Sequence, residues 1–425
     1  MTVQIQKTGQ QSTLERYRRH VNAGFAVLAD FMALPVEAHS EGSVIVDTKG
    51  ETYLDCGGYG VFILGHRHPA VVQSVRDQLE THALSSRALL NASLAEAAEC
   101  VASAAPVGLE YVCFTNSGAE ATEAGLKLAR LNGRNRFIAM EGGFHGKTLG
   151  ALSVTGRPRY QAPFRDLLMD VAFVPFGDLD ALERQVRPEG ERACVIVEPV
   201  QAEAGVIIPP AGYLRQLNEI CRRNGAFVIV DEIQTGLGRL GWWWGCDREG
   251  IVPDVLLVGK ALGGGVLPVG AAVTTPAAYA ALNRDPLLHT STFAGNPLAM
   301  AAVQAALATI EREHIVGKAR MLGQRLLQEI RAIVEGVGGG PIRDVRGMGL
   351  LIGLEFETED LAGEFMIELM HRNIIVSHSL NSNHVVRLTP PAILTEAQVG
   401  WLLDAVDEAC RAVCRIAGST SAGGS

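Results

Sequence analysis

A lysine, a pair of carboxylates, an aromatic pair between glycines and a Ser-Gly-Ala turn are the residues of this chain whose types and spacing could do chemistry. Lys260 ends the apolar run "VLLVGK" (255–260), and glycines follow at 263, 264 and 265. Alone, that stretch reads in two ways. Either a strand simply surfaces in a solvated lysine, or an amine is kept dry and approached closely by something flat. Asp231 and Glu232 end "AFVIVDE" (226–232), with Gln234 just beyond. So apolar a run ends in carboxylates at a cost unless they are paired or hydrogen-bonded. Capping of the next loop accounts for Glu232 better than for Asp231. After "YVCFTN" (111–116), Ser117-Gly118-Ala119 opens a helical pattern. Its free N–H groups and positive dipole end suit an anion or phosphate. Ser117 with Glu120 also reads as an ordinary capping box. "RFIAME" (136–141) leads to Phe144 and His145 between glycines, an aromatic face on a loop or a core aromatic. "ACVIVEPV" (193–200) brings Glu198, and then Glu203, toward the same rim.

These runs are continuous rather than alternating, as expected of central strands in a largely parallel sheet with helices on both faces. Helical patterns separate them between about 70 and 310. In such a sheet, ligands sit at the carboxyl ends of the strands, where every residue above falls. One ligand uses a phosphate cradle, an aromatic face, a buried carboxylate and a lysine together: pyridoxal 5′-phosphate. Its aldehyde bonds a lysine amine, its ring nitrogen needs a carboxylate to stay protonated, and its ring needs a stacking partner.

The flanking regions differ. Residues 1 to about 30 read as amphipathic helix. "SVIVDTKGETYLDC" (43–56) reads as a β-hairpin turning at Lys49-Gly50. From about 315 the pattern is α+β: a charged helix, the runs "RDVRGMGLLIGLEF", "NIIVSHSL" and "VVRLTPP", and a last helix from Glu396 to about Ile416.

With 425 residues, 48% of them hydrophobic, the chain can bury a large core; its net charge of −9 without a basic stripe argues against nucleic acid. No signal-type stretch opens it and no run of about 18 apolar residues occurs, so a cytoplasmic enzyme with no membrane partner is expected. Eight cysteines show no CxxC spacing and read as reduced thiols. His66 and His68 lack a carboxylate partner motif, and no metal site is expected.

The segments "TNSGAEATEAGLKLAR", "GFHGKTLGALSVTG", "EPVQAEAGVIIPP", "IVDEIQTGLGRLG", "VGKALGGGVLPVGA" and "STFAGNPLA" make the chain resemble the class III (ornithine/4-aminobutyrate-type) aminotransferases, from about residue 45 to 412. The resemblance implies an α/β fold, fold type I of the pyridoxal phosphate enzymes: a large domain with a mainly parallel sheet, and a smaller α+β domain from both termini. The division expected is 1–65 for the N-terminal part of the small domain, 66–315 for the large cofactor-binding domain, 316–417 for the C-terminal part of the small domain, and 418–425 for a flexible tail. By the same resemblance, Lys260 would bond the cofactor and shuttle the proton, and Asp231 would pair with the ring nitrogen. Gln234 would bond the ring hydroxyl, Phe144 would stack, with His145 beside it, and Ser117, Gly118 and Ala119 would hold the phosphate. Thr292 would reach that phosphate from the neighbouring subunit, which implies a homodimer with shared sites, or a tetramer built from it. Arg387 would bind the 2-oxoglutarate carboxylate, and Glu203 would neutralise Arg387 during the other half-reaction. Lys147 stands where family members acting on amino acids mostly carry arginine, which favours a donor without a distal carboxylate, such as a putrescine-like diamine. Tyr59 falls at a substrate-facing aromatic position. Ornithine, acetylornithine or 4-aminobutyrate transamination and an aminomutase reaction are the alternatives. A dinucleotide enzyme is disfavoured because no GxGxxG is present. The tryptophans of "GWWWGC" (241–246) read as surface or dimer packing.

Overall fold

The structure is a computed structural model that describes residues 10–338 and 340–422, with side chains to Gly418. Its centre is a seven-stranded sheet. Strands β1 (Glu37–Glu41), β2 (Val44–Asp47) and β3 (Thr52–Asp55) precede it in the chain. The sheet itself comprises β4 (Tyr111–Thr115), β5 (Arg136–Met140), β6 (Val171–Val174), β7 (Ala193–Val197), β8 (Phe227–Asp231), β9 (Val255–Val258) and β10 (Gly270–Thr274). The order is β4-β10-β9-β8-β7-β5-β6. Only β10 runs against its neighbours, β4 and β9; the other pairs are parallel.

Successive residues of these strands feed two cores. Phe137, Ala139, Cys194, Ile196, Ile229 and Leu257 pack on one face with the helix Gly118–Leu131. Ile138, Val195, Val197, Val228, Val230 and Leu256 pack on the other, with the helices Tyr213–Arg223 and Pro297–Arg312. Burial on both faces is why these runs carry no polar alternation. The five strands expected from the sequence are present. β6 and β10 were not expected. Only residues 259–269 connect β9 to β10, too few for the crossover helix a parallel return needs, so β10 comes back antiparallel.

The hairpin expected at 43–56 is β2–β3, and the Asp47 carboxylate holds its turn by accepting from the N–H groups of Lys49 and Glu51. β1-β2-β3 is completed by β13 (Ile374–Ile375), so strands from both ends of the chain share one sheet. The last sheet is β11 (Ile342–Met348), β12 (Leu351–Phe356), β15 (Ser382–Leu388) and β14 (Ser377–Ser379), in that order. The N-terminal region forms helices Gln10–His20 and Ala23–Phe31, with residues 1–9 outside the described part. The final helix runs Glu396–Ala422, through most of the stretch expected as a tail; residues 423–425 lie outside. Trp244 is a core residue, its indole N–H donating to the Ala104 carbonyl at 2.6 Å. The Arg320 guanidinium stacks over the Trp242 ring at 4.7 Å. Trp244 is thus internal rather than in the surface or dimer packing expected, whereas Trp242 and Trp243 are half-buried. Among the described residues no helix is long and apolar enough to cross a membrane, and no cluster of three or more His, Cys, Asp or Glu could hold a metal.

Candidate active site

The carboxyl ends of β4, β8 and β9 converge. Ser117 caps the helix Gly118–Leu131, its hydroxyl accepting from the Glu120 N–H at 3.2 Å. The Glu120 carboxylate reaches back to the Asn116 backbone and side-chain N–H groups, each at 2.9 Å, one residue earlier than a regular capping box. The N–H groups of Gly118 and Ala119, in the first turn, have no acceptor within the helix. Gly118 and Gly259 let this turn meet the end of β9: a Cβ on Gly259 would stand 3.3 Å from the Gly118 Cα. Gly264 and Gly265, at positive φ, pack instead against Val71 and Phe62.

Lys260 follows at φ +43°, in the left-handed region that side chains other than glycine rarely adopt. It lines two cavities of about 220 and 290 Å³, which also share Gly118. Burial pushes its amine below the ordinary range. Glu203 opposes that effect, Arg387 adds to it, and Asp231 and Glu198 oppose it further.

The smaller cavity is also lined by Ala119, Phe144, His145, Glu198, Glu203, Asp231 and Gln234. Asp231 is the last residue of β8 and 3% exposed. One of its oxygens accepts from the Ile233 N–H at 3.0 Å, and the other lies 2.7 Å from His145 Nδ1. His145 is fixed through its backbone by Thr155 and Thr122. Burial alone would lower its imidazole, but the hydrogen bond and charge of Asp231, with Glu198 behind them, leave it raised above the ordinary histidine range. Its Nε2 has no partner among the described residues. Glu198 accepts from the Phe144 N–H at 3.1 Å, and burial pushes its carboxyl up to about 8. Both polar atoms of the Gln234 amide are buried without a partner among the described residues.

Arg387, on β15, is fully buried 2.8 Å from a Glu203 oxygen, yet none of its guanidinium nitrogens makes a hydrogen bond among the described residues. The other Glu203 oxygen accepts from the Leu380 N–H at 2.9 Å, and the Glu203 carbonyl accepts from the Asn381 N–H at 2.8 Å. Asn381 in turn donates to the Gly142 carbonyl at 2.8 Å. The β14–β15 turn therefore pins the glutamate to the loop that carries Phe144.

Of the residues singled out in the sequence, Gly118, Ala119, Phe144, His145, Glu203, Asp231, Gln234 and Lys260 line this cavity, Ser117 lines the adjoining one and Arg387 pairs with Glu203. Three lie apart. Thr292 is exposed in an apolar groove of about 910 Å³ that includes Leu89, Leu90 and Phe293. Lys147 is exposed, its ammonium 4.5 Å from the centre of the Tyr160 ring. Tyr59 is 57% exposed at φ +50°, although its neighbour Gly60 presses against the Gln234 amide. Glu198 was noticed in the sequence without a role. The signal was the same as for Asp231: a carboxylate ending an apolar strand.

Residues 28–410 match the model of the family described as aminotransferase class-III. The chain is 41% identical over 409 residues to the putrescine aminotransferase of Pectobacterium atrosepticum, covering 92% of this chain and 87% of that protein. Among solved structures it is similar to the ornithine aminotransferase of Toxoplasma gondii, with TM-score 0.86, 27% identity, and 97% of this chain and 100% of that one covered. It is also similar to the acetylornithine aminotransferase of Elizabethkingia anophelis, with TM-score 0.78, 30% identity, and 91% and 98% covered. A family match over most of the chain, joined to a lysine, a buried Asp–His pair and a helix N-terminus around one cavity, leads to one conclusion: the chain belongs to the class III aminotransferases.

Proposed function

We propose that this aminotransferase moves the amino group of a terminal amine, a putrescine-like diamine, to 2-oxoglutarate, releasing an aminoaldehyde and glutamate. The observation that carries this reading is Arg387, a buried guanidinium without a hydrogen bond among the described residues, beside a carboxylate at 2.8 Å and in the surroundings of Lys260. Such a group is costly to bury unless it has work to do. An ion pair that opens for a dicarboxylate and closes for a carboxylate-free amine lets one pocket serve two substrates.

Class III aminotransferases use pyridoxal 5′-phosphate, and the residues present fit it. The partnerless Gln234 amide, the first-turn N–H groups at Gly118 and Ala119, and the Asp231 carboxylate surround a cavity of fitting chemistry. When bound, the cofactor supplies an aldehyde that captures amines and a protonated ring nitrogen that draws electrons from the substrate carbon. Lys260 is assigned the bond to that aldehyde and the transfer of the proton. Burial lowers its amine, which raises the neutral fraction able to attack and to accept a proton. Asp231, oriented by His145 and the Ile233 N–H, is assigned the ring nitrogen's proton. Phe144 is assigned the ring face, Gln234 the ring hydroxyl, and Ser117, Gly118 and Ala119 the phosphate.

A homodimer in the cytoplasm is part of this reading. The groove at Thr292, with Leu89 and Leu90 strongly exposed, supports a second copy bringing Thr292 to its neighbour's phosphate site. The sheet shared by β1–β3 and β13 supports a smaller domain built from 1–65 and 316–417 beside a large one at 66–315. Lys147, stacked on Tyr160, lends the diamine no direct support. That part rests on the putrescine aminotransferase relative, with Tyr59 left as the aromatic for the donor. A donor panel of diamines, ornithine, acetylornithine and 4-aminobutyrate against 2-oxoglutarate, read as glutamate formed, tests both halves. The largest kcat/KM is expected with a diamine. A larger value with ornithine or 4-aminobutyrate rejects the donor, and no glutamate from any amine rejects the acceptor.

A further inference from the structure

β14 pairs antiparallel with β15, and Ser377 stands directly opposite Arg387. Directly opposed residues project from the same face of a sheet, with Cβ atoms about 5 Å apart. That face looks onto the loop bearing Glu203. A Cβ on Gly353, the other cross-strand neighbour of Arg387, would meet Val206, and one on Gly205 would meet Val385. The Ser377 hydroxyl is buried and has no hydrogen-bond partner among the described residues, like the three guanidinium nitrogens across from it. Two adjacent polar groups, each desolvated and each unsatisfied, are unfavourable unless a third party completes them.

We propose that Ser377 is a further acceptor-recognising residue: its hydroxyl donates to the same substrate carboxylate that Arg387 takes. This rests on the acceptor-site reading above. The chemistry is complementary. A carboxylate has about four lone-pair sites, and a bidentate guanidinium uses two. A hydroxyl beside the arginine supplies a further donor, and it has no acceptor to give up when the ligand arrives. In the amine half-reaction, with Glu203 on Arg387, Ser377 has no role. It therefore discriminates between the two substrates rather than strengthening both. Ser379, next along β14, does not join this row, because a register shift after His378 sets it opposite Ser382.

The test uses the holoenzyme and glutarate, an unreactive dicarboxylate, as probe. Ser377→Ala should weaken glutarate binding by roughly tenfold or more, the worth of a hydrogen bond to a charged group, and raise the KM for 2-oxoglutarate in step. Single-turnover conversion by the amine donor should be unchanged, and Ser377→Thr should restore much of the binding. The melting temperature of Ser377→Ala should hold or rise, since no group among the described residues bonds that hydroxyl. Arg387→Ala is run alongside. If it leaves glutarate binding intact, the acceptor-site reading itself fails. If Arg387→Ala loses glutarate and Ser377→Ala keeps it, the role of Ser377 is overturned while the acceptor site stands. A lower melting temperature with equal losses in both half-reactions marks Ser377 as structural and also overturns it.

Discussion

Glu198→Gln should change how the stability of this chain depends on pH. Burial raises the Glu198 carboxyl from its ordinary 4.5 to about 8, against the favourable charge of His145 and with the added repulsion of Asp231. In the unfolded chain it ionises near 4.5; in the folded chain it holds its proton until about 8. Between those values the folded state binds one more proton than the unfolded state, so stability falls as pH rises and levels off above 8. At about 1.4 kcal/mol per tenfold change in proton affinity, the whole window amounts to roughly 5 kcal/mol. Glutamine mimics the protonated acid and keeps an oxygen for the Phe144 N–H, bonded at 3.1 Å in the wild type. Wild type and variant should therefore be near equal in stability at about pH 4.5, and the variant should be the more stable at about pH 8. Denaturant unfolding of both proteins without added cofactor, across that range, measures the divergence. Parallel curves would mean that Glu198 is ionised throughout in the folded chain, and the argument from burial would be wrong.

Lys260→Ala should abolish turnover by several orders of magnitude and the visible absorbance of lysine-bound cofactor, with the fold kept by circular dichroism; a variant retaining a tenth of wild-type activity refutes the assignment. Asp231→Ala should still bind cofactor in an absorbance titration yet slow proton removal from the amine severely, and normal turnover would make that carboxylate structural only. Gly323→Ala should lower the melting temperature by several degrees, a loss of about 2–3 kcal/mol, because its Cβ would overlap the Gly349 carbonyl; an unchanged melting curve contradicts that close approach.

The parts of the fold legible in the sequence were those with one unambiguous physical cause. β5, β7, β8 and β9 are apolar on both faces and bounded by polar residues, so they stood out. β6 is only four residues, partly exposed, at the sheet edge. β10, "GAAVT", is small-residue backbone after a glycine-rich turn, and resembled loop. Lys260, Asp231 and the Ser117 turn were legible because each ends a readable strand. Their convergence on one rim was legible too; the close contact of Gly118 with Gly259 that sets it was not. Glu203 was legible at the rim because it follows a readable strand, but Arg387 and its pairing with Glu203, far apart in the chain, came from family resemblance alone. Ser377 was invisible, because only the β14–β15 register sets it opposite Arg387.

The backbone at Lys260 has one more consequence. Its φ of +43° belongs to a conformation that costs a side-chain-bearing residue of order 1 kcal/mol, and Val206, beside the Glu203 loop, carries the same burden at +57° with a branched side chain. Glycine at either position would relax the chain. Selection for robustness alone would thus push toward variants that fold better and react worse, so a thermostability screen run on this enzyme needs turnover measured at every round.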